Sequence, residues 1–103
     1  MSFRREIRVS ELADRQIDEA DDWWRRNREK APEAIVEELE RVGRLLALQP
    51  YIGKRATNVK LPGVRRIHIE RIHHDVYYRI IGDPEIVEIV ALWGTRRGSG
   101  PPI

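Results

Sequence analysis

Hydrophobic and polar positions alternate along the first stretch of the chain. Phe3, Ile7 and Val9 fall on one side and Arg4, Glu6 and Arg8 on the other. This period of two predicts a first strand with one buried face. The period then changes. Ala13, Ile17, Ala20 and Trp24 recur at helical spacing, with Leu12 and Trp23 beside them. Ser10 stands at the N-cap position and Glu11 in the first turn, where it complements the helix dipole. The spacing predicts an amphipathic helix to about Arg28. Ala31-Pro32 opens a second helix on Ile35, Leu39, Val42 and Leu46, which Pro50 and Gly53 end. The short link predicts an antiparallel helical hairpin.

An irregular stretch, 51–63, carries Lys54, Arg55 and Lys60. Strands are predicted over 64–70, 75–81 and 86–93, joined by turns at 71–74 and 82–85. The order is β-α-α-β-β-β. It predicts an α+β fold, with the helical hairpin packed on one face of a four-stranded, mainly antiparallel sheet. Counting directions through the hairpin makes the first and last strands antiparallel if they are neighbours. One domain, 1–103, accounts for the chain, with about 94–103 as a flexible, Gly/Pro-rich tail.

Register places chemistry on the sheet. With the predicted turns, Ile67 faces Tyr78, Ile69 faces Val76, Tyr78 faces Ile89 and Ile80 faces Val87, so these side chains form the core face. Ala91 and Trp93 are expected to join them. The opposite face then presents a row Arg66–Arg79–Glu88 and a row His68–Tyr77–Val90, with Leu92 further along. Two arginines directly opposite each other cost stability unless an anion compensates, and guanidinium groups grip phosphate bidentately. An ordinary Arg79–Glu88 ion pair beside a solvated Arg66 is the plainer alternative. Val90 and Leu92 suit a covering partner or the chain's own tail.

Composition narrows the classes. The 103 residues contain no cysteine, which excludes disulfides and thiolate metal sites. The first five residues lack the apolar run of a signal peptide, and no apolar stretch reaches membrane-spanning length, so the cytoplasm is the expected location. Residues 1–50 hold 10 Lys+Arg against 12 Asp+Glu, a net −2; residues 51–103 hold 9 against 5, a net +4. The basic excess, with Arg96 and Arg97 just past the last strand, points to a polyanion or an acidic partner. His73 and His74 fall in a turn without a spaced third ligand, and no metal or cofactor motif is found. Any chemistry would rest on Arg, Lys, His and Tyr, an inventory suited to metal-independent phosphodiester cleavage.

The ordered segments "LLALQPYIGK", "LPGVRRIHIE" and "HDVYYRIIGDPEIVEIVALWGTRR" resemble the RelE/ParE toxins of bacterial type II toxin–antitoxin systems. The resemblance spans nearly the whole chain. It implies a growth-arresting toxin, held by a cognate antitoxin at Val90, Leu92 and Arg96. Two targets follow. A ParE-like binder would dock on DNA gyrase without chemistry of its own. A RelE-like enzyme would cut mRNA on the ribosome, with Arg66 and Arg79 at its arginine positions, Lys54 and Lys60 in its basic loop, and His68 or Tyr77 supplying proton transfer. Arg96 and Arg97 extend the positive surface in either case. RNA-cleaving members commonly carry a Tyr or His beyond the last strand. Here the chain reads Trp93-Gly94-Thr95-Arg96-Arg97-Gly98, which favours the gyrase-binding reading. A member that only binds its antitoxin is the third possibility.

Overall fold

The computed structural model describes residues 4–103; Phe3, assigned above to the first strand, lies outside them. The elements are β1 (Glu6–Val9), α1 (Glu11–Asn27), α2 (Ala34–Leu48), β2 (Lys54–Arg55), β3 (Arg65–Ile69), β4 (His74–Ile81) and β5 (Ile86–Gly94), with one 3-10 turn at Glu70–Ile72. The sheet has five strands in the order β1-β5-β4-β3-β2.

Ser10 caps α1 as its position demands, its hydroxyl oxygen accepting from the Ala13 amide at 3.1 Å. The apolar stripes of both helices meet the sheet. Ala13, Trp24, Ile35, Val42 and Leu46 pack with Val76, Tyr78, Val87 and Ile89 in one buried cluster. Burying each large aliphatic side chain there contributes roughly 1.5–3 kcal/mol before the entropy of ordering it is subtracted. Arg71 ties the 3-10 turn to α2 through Glu37 at 3.0 Å and Glu38 at 3.2 Å.

Three expectations need correction, each for a countable reason. First, β1 runs parallel to β5, not antiparallel. The two-residue strand β2, too short to show as an alternation, adds a fifth strand and one more reversal of direction. Second, β3 and β4 are offset by two residues from the expected pairing. Ile67 stands opposite Val76 and Arg66 opposite Tyr77. The turn is a 3-10 turn closed by His73 in the left-handed region (φ 52°), so β4 already begins at His74. A slip of two keeps every side chain on its face but changes its partner. The row Arg66–Arg79–Glu88 therefore does not form.

Third, a β-bulge interrupts the β4–β5 ladder. Tyr78 pairs with Ile89 as expected, but Tyr77 pairs with Ala91, leaving Val90 as the extra residue. One extra residue inverts the alternation beyond it. Leu92 turns inward to the helix-side core, opposite Val76, while Ala91 and Trp93 belong to the other face. The backbone groups the bulge displaces are taken up from α1 and its cap. The Leu92 amide donates to the Gln16 side-chain oxygen at 2.9 Å, and the Ser10 hydroxyl donates to the Val90 carbonyl at 3.4 Å.

The second sheet face is covered by the chain itself. Tyr77, Val90, Ala91 and Val64 form a small second core, packed against Val59, Leu61, Trp93 and Ile103. Residues 94–103, expected to be a loose tail, fold back over it. The Lys60 amide donates to the Ile103 carbonyl at 2.8 Å, and the Trp93 indole donates to the Ser99 carbonyl at 2.7 Å. Gly100 lies so close to Asn58 that a Cβ there would sit 2.0 Å from the Asn58 carbonyl oxygen. Val90 thus meets the chain's own loop and tail. Trp93 anchors that tail and not the helix-side core.

Candidate functional site: a basic edge and turn

The face away from the helices carries its charge at one edge. In β2 and β3, Lys54 stands opposite Arg66, and Arg55 opposite Arg65. Like charges in directly opposite positions repel, so this ladder is held by its surroundings and not by its own side chains. Arg65 is used structurally: its guanidinium donates to the Gly53 carbonyl at 2.7 Å and lies 5.3 Å from the Tyr51 ring centre. Lys54 and Arg66 have no carboxylate partner among the described residues. Uncompensated guanidinium and ammonium groups on a rigid ladder form an anion-accepting edge.

Arg66 and Arg97 line one depression, together with Tyr77, Asp75 and the turn Gly94–Gly98. Arg97 reaches it from past β5, its guanidinium stacked 4.0 Å from the Trp93 ring centre. This contact fixes the position of a side chain that would otherwise be free. Arg96 is exposed on the same turn. Lys60 is exposed in the covering loop. Arg79, by contrast, stands opposite Glu88 and is paired with it at 2.8 Å. Its charge is neutralised within β4–β5, separate from Arg66.

The two candidate proton-transfer residues are committed elsewhere. Tyr77 is buried, and its hydroxyl accepts from the Asn58 side-chain amide at 3.0 Å. Its ring has no free face for stacking. His68 is held between two carboxylates, with Nδ1 2.9 Å from Asp75 and Nε2 2.8 Å from Glu70. Hydrogen bonds from Glu70 first, then Asp75, raise its pKa above the ordinary histidine value. Both ring nitrogens face a carboxylate, an arrangement that favours the imidazolium form and surrounds it with negative charge. His74 is the opposite case. Burial lowers its pKa, and Nδ1 lies 2.6 Å from the Ile72 carbonyl, which assigns the proton to Nδ1 of a neutral ring. No group of three potential ligands for a metal ion occurs among the described residues. No helix there is long and apolar enough to cross a membrane.

The sequence pattern missed three contributors: the β2 edge, the bulge at Val90 with its partner Gln16, and the stacking of Arg97 on Trp93. The first is two residues long. The other two depend on contacts between elements and leave no local periodicity.

A helical hairpin on one face of a mixed sheet, with a basic edge and a basic C-terminal turn on the other, defines a small α+β protein with an anion-accepting edge. The sequence profile described as "ParE toxin of type II toxin-antitoxin system, parDE" matches residues 7–98. The chain therefore belongs to the ParE toxin family of type II toxin–antitoxin systems. Among solved structures, it is similar to a chain of the chromosomal ParDE toxin–antitoxin system from P. aeruginosa. That match has 21% sequence identity and a TM-score of 0.72, and covers 90% of this chain and 98% of that one. It supports the fold. No curated protein matches this chain.

Proposed function

We propose that this toxin arrests growth in the cytoplasm by docking on DNA gyrase, without cutting a bond itself, and is silenced by a cognate antitoxin. The observation that carries the non-catalytic reading is the state of His68. An acid–base pair for phosphodiester cleavage needs one group free to take a proton and one free to give it. Here His68 is saturated by Glu70 and Asp75, and Tyr77 is buried under Asn58. The two carboxylates beside the His68 ring also oppose the approach of a phosphate. What the face does offer is fixed positive charge at Lys54, Arg66 and Arg97, with Arg96 and Lys60 at the rim. That arrangement suits an acidic protein surface, where complementarity sets association rate and specificity.

The test is a supercoiling assay with purified gyrase, run beside a cell-free translation reaction. The expected result is inhibition of supercoiling by the wild-type chain and loss of inhibition in Lys54→Ala/Arg66→Ala, with mRNA intact in translation. Ribosome-dependent cleavage of mRNA would replace this reading with the endonuclease one.

A further inference from the structure

The depression beside the basic turn has a volume of about 330 Å³ and carries two guanidinium groups on its walls, Arg66 from β3 and Arg97 from past β5. Neither has a carboxylate partner among the described residues. Arg66 is fixed at a paired strand position, opposite Tyr77. Arg97 is stacked 4.0 Å from the Trp93 ring centre, and the Trp93 indole is tied in turn to the Ser99 carbonyl at 2.7 Å. Much of the freedom that Arg97 would lose on gripping a ligand is therefore already gone, which is how preorganisation raises affinity.

A second observation concerns the backbone. The wall next to Arg97 is Gly98-Ser99-Gly100. Among the described residues, the amides of these three donate to no carbonyl and no side chain. Successive backbone N–H groups without acceptors are the donors from which anion-binding concavities are built. Asn58 lines the same wall, and its side-chain amide spends one hydrogen on Tyr77 at 3.0 Å, which leaves the other uncommitted. Asp75 is the one acid among the described residues that line the depression. Its carboxylate lies 2.9 Å from His68 Nδ1, and that ring, favoured in its charged form, offsets it.

We propose that this depression binds the terminal phosphate of a phosphomonoester, gripped between Arg66 and Arg97 with the amides of Gly98–Gly100 as further donors. Charge selects this chemistry. Two guanidinium groups match a dianion, whereas a carboxylate or a phosphodiester carries a single charge. Donor number selects it too. A terminal phosphate offers three strong acceptor oxygens and a carboxylate two. The volume lies at the lower end of small-ligand sites and suits a phosphate group with a few atoms beyond it. Binding there does not rest on the gyrase reading. Because Arg66 and Arg97 also belong to the proposed docking face, an occupied site is expected to compete with the target.

The test titrates phenyl phosphate into the full chain at about pH 7.5, where a phosphomonoester is a dianion, and follows amide chemical shifts. Saturable shifts at Gly98, Ser99 and Gly100 are expected, and inorganic phosphate should move the same residues. Acetate and the diester methyl phenyl phosphate should bind at least tenfold more weakly. Arg66→Gln and Arg97→Gln should each weaken phenyl phosphate about tenfold or more. Arg97→Lys, a milder change that keeps the charge but not the planar fork, should weaken it as well. Arg79→Gln, at a residue paired with Glu88 outside the depression, should bind as wild type does. Shifts that do not saturate, or that persist in the arginine variants, would overturn the site. Tighter binding of the diester, or of a single-stranded oligonucleotide, would overturn the monoester assignment, and equal binding of acetate would overturn phosphate. Supercoiling inhibition is read separately, so a chain that binds phosphate without touching gyrase loses only the docking reading.

Discussion

The amide of Gly53 donates to the hydroxyl of Tyr78 at 2.8 Å, and this buried contact fastens β2 to the sheet. A Cβ on Gly53 would lie 2.5 Å from that hydroxyl oxygen and 2.9 Å from the Arg66 carbonyl. Gly53→Ala is therefore expected to destabilise the chain by roughly 1–3 kcal/mol, the range for overpacking. Tyr78→Phe, which strands the Gly53 N–H, is expected to cost about 1–3 kcal/mol. Urea unfolding checks both. Either change should also loosen Lys54 and weaken gyrase inhibition.

Lys54 and Arg66 oppose function to stability. Replacing one cation of a directly opposed pair with an acid converts repulsion to attraction. Lys54→Glu is expected to raise stability by about 0.2–1 kcal/mol while lowering affinity for the acidic target more than tenfold. A midpoint shift in urea with unchanged gyrase inhibition would remove Lys54 from the docking surface.

Arg79 gives the contrasting case. Its ion pair with Glu88 is partly solvent-exposed, so Arg79→Ala is expected to cost no more than about 1 kcal/mol and to leave growth arrest intact. Loss of arrest at unchanged stability would place Arg79 in the target site after all.

The two histidines should titrate on opposite sides of the ordinary value near 6.5. His68, whose charged form is favoured by Glu70 and then Asp75, contributes stability that is fully present below that value and is lost as pH rises through its raised pKa. His74, kept neutral by burial, costs stability as pH falls from that value through its lowered pKa. Nuclear magnetic resonance titration reads each ring. His68→Gln should flatten the alkaline side of the stability profile, and His74→Gln the acid side.

Gln16 is the prop of the bulge. Gln16→Ala removes the acceptor of the Leu92 amide and is expected to cost about 1–3 kcal/mol. Calorimetric unfolding checks the loss.

The helices, the turn 82–85 and the pairing of Arg79 with Glu88 were legible in the sequence, because each rests on local periodicity or a tight turn. The helix-side core followed from the same alternation up to Ile89. What was not legible depended on counting. The strand Lys54–Arg55 is too short to alternate, and without it the direction of β1 comes out reversed. A left-handed His73 moved the β3–β4 pairing by two, which took Arg66 from Arg79 to Tyr77. The family resemblance was carried by ordered segments and survived these shifts. The site was not, because it depends on which residue stands opposite which.

The extra residue at Val90 lets one continuous strand serve two interiors. Before it, β5 sends Val87 and Ile89 toward the helices; after it, Leu92 takes over that duty while Ala91 and Trp93 turn to the tail. This makes β5 tolerant of changed side chains but intolerant of changed length. Inserting one residue after Ala91 would hand Leu92 to the loop and Trp93 to the helices. The stacked Arg97 and the basic turn would lose their common support at once.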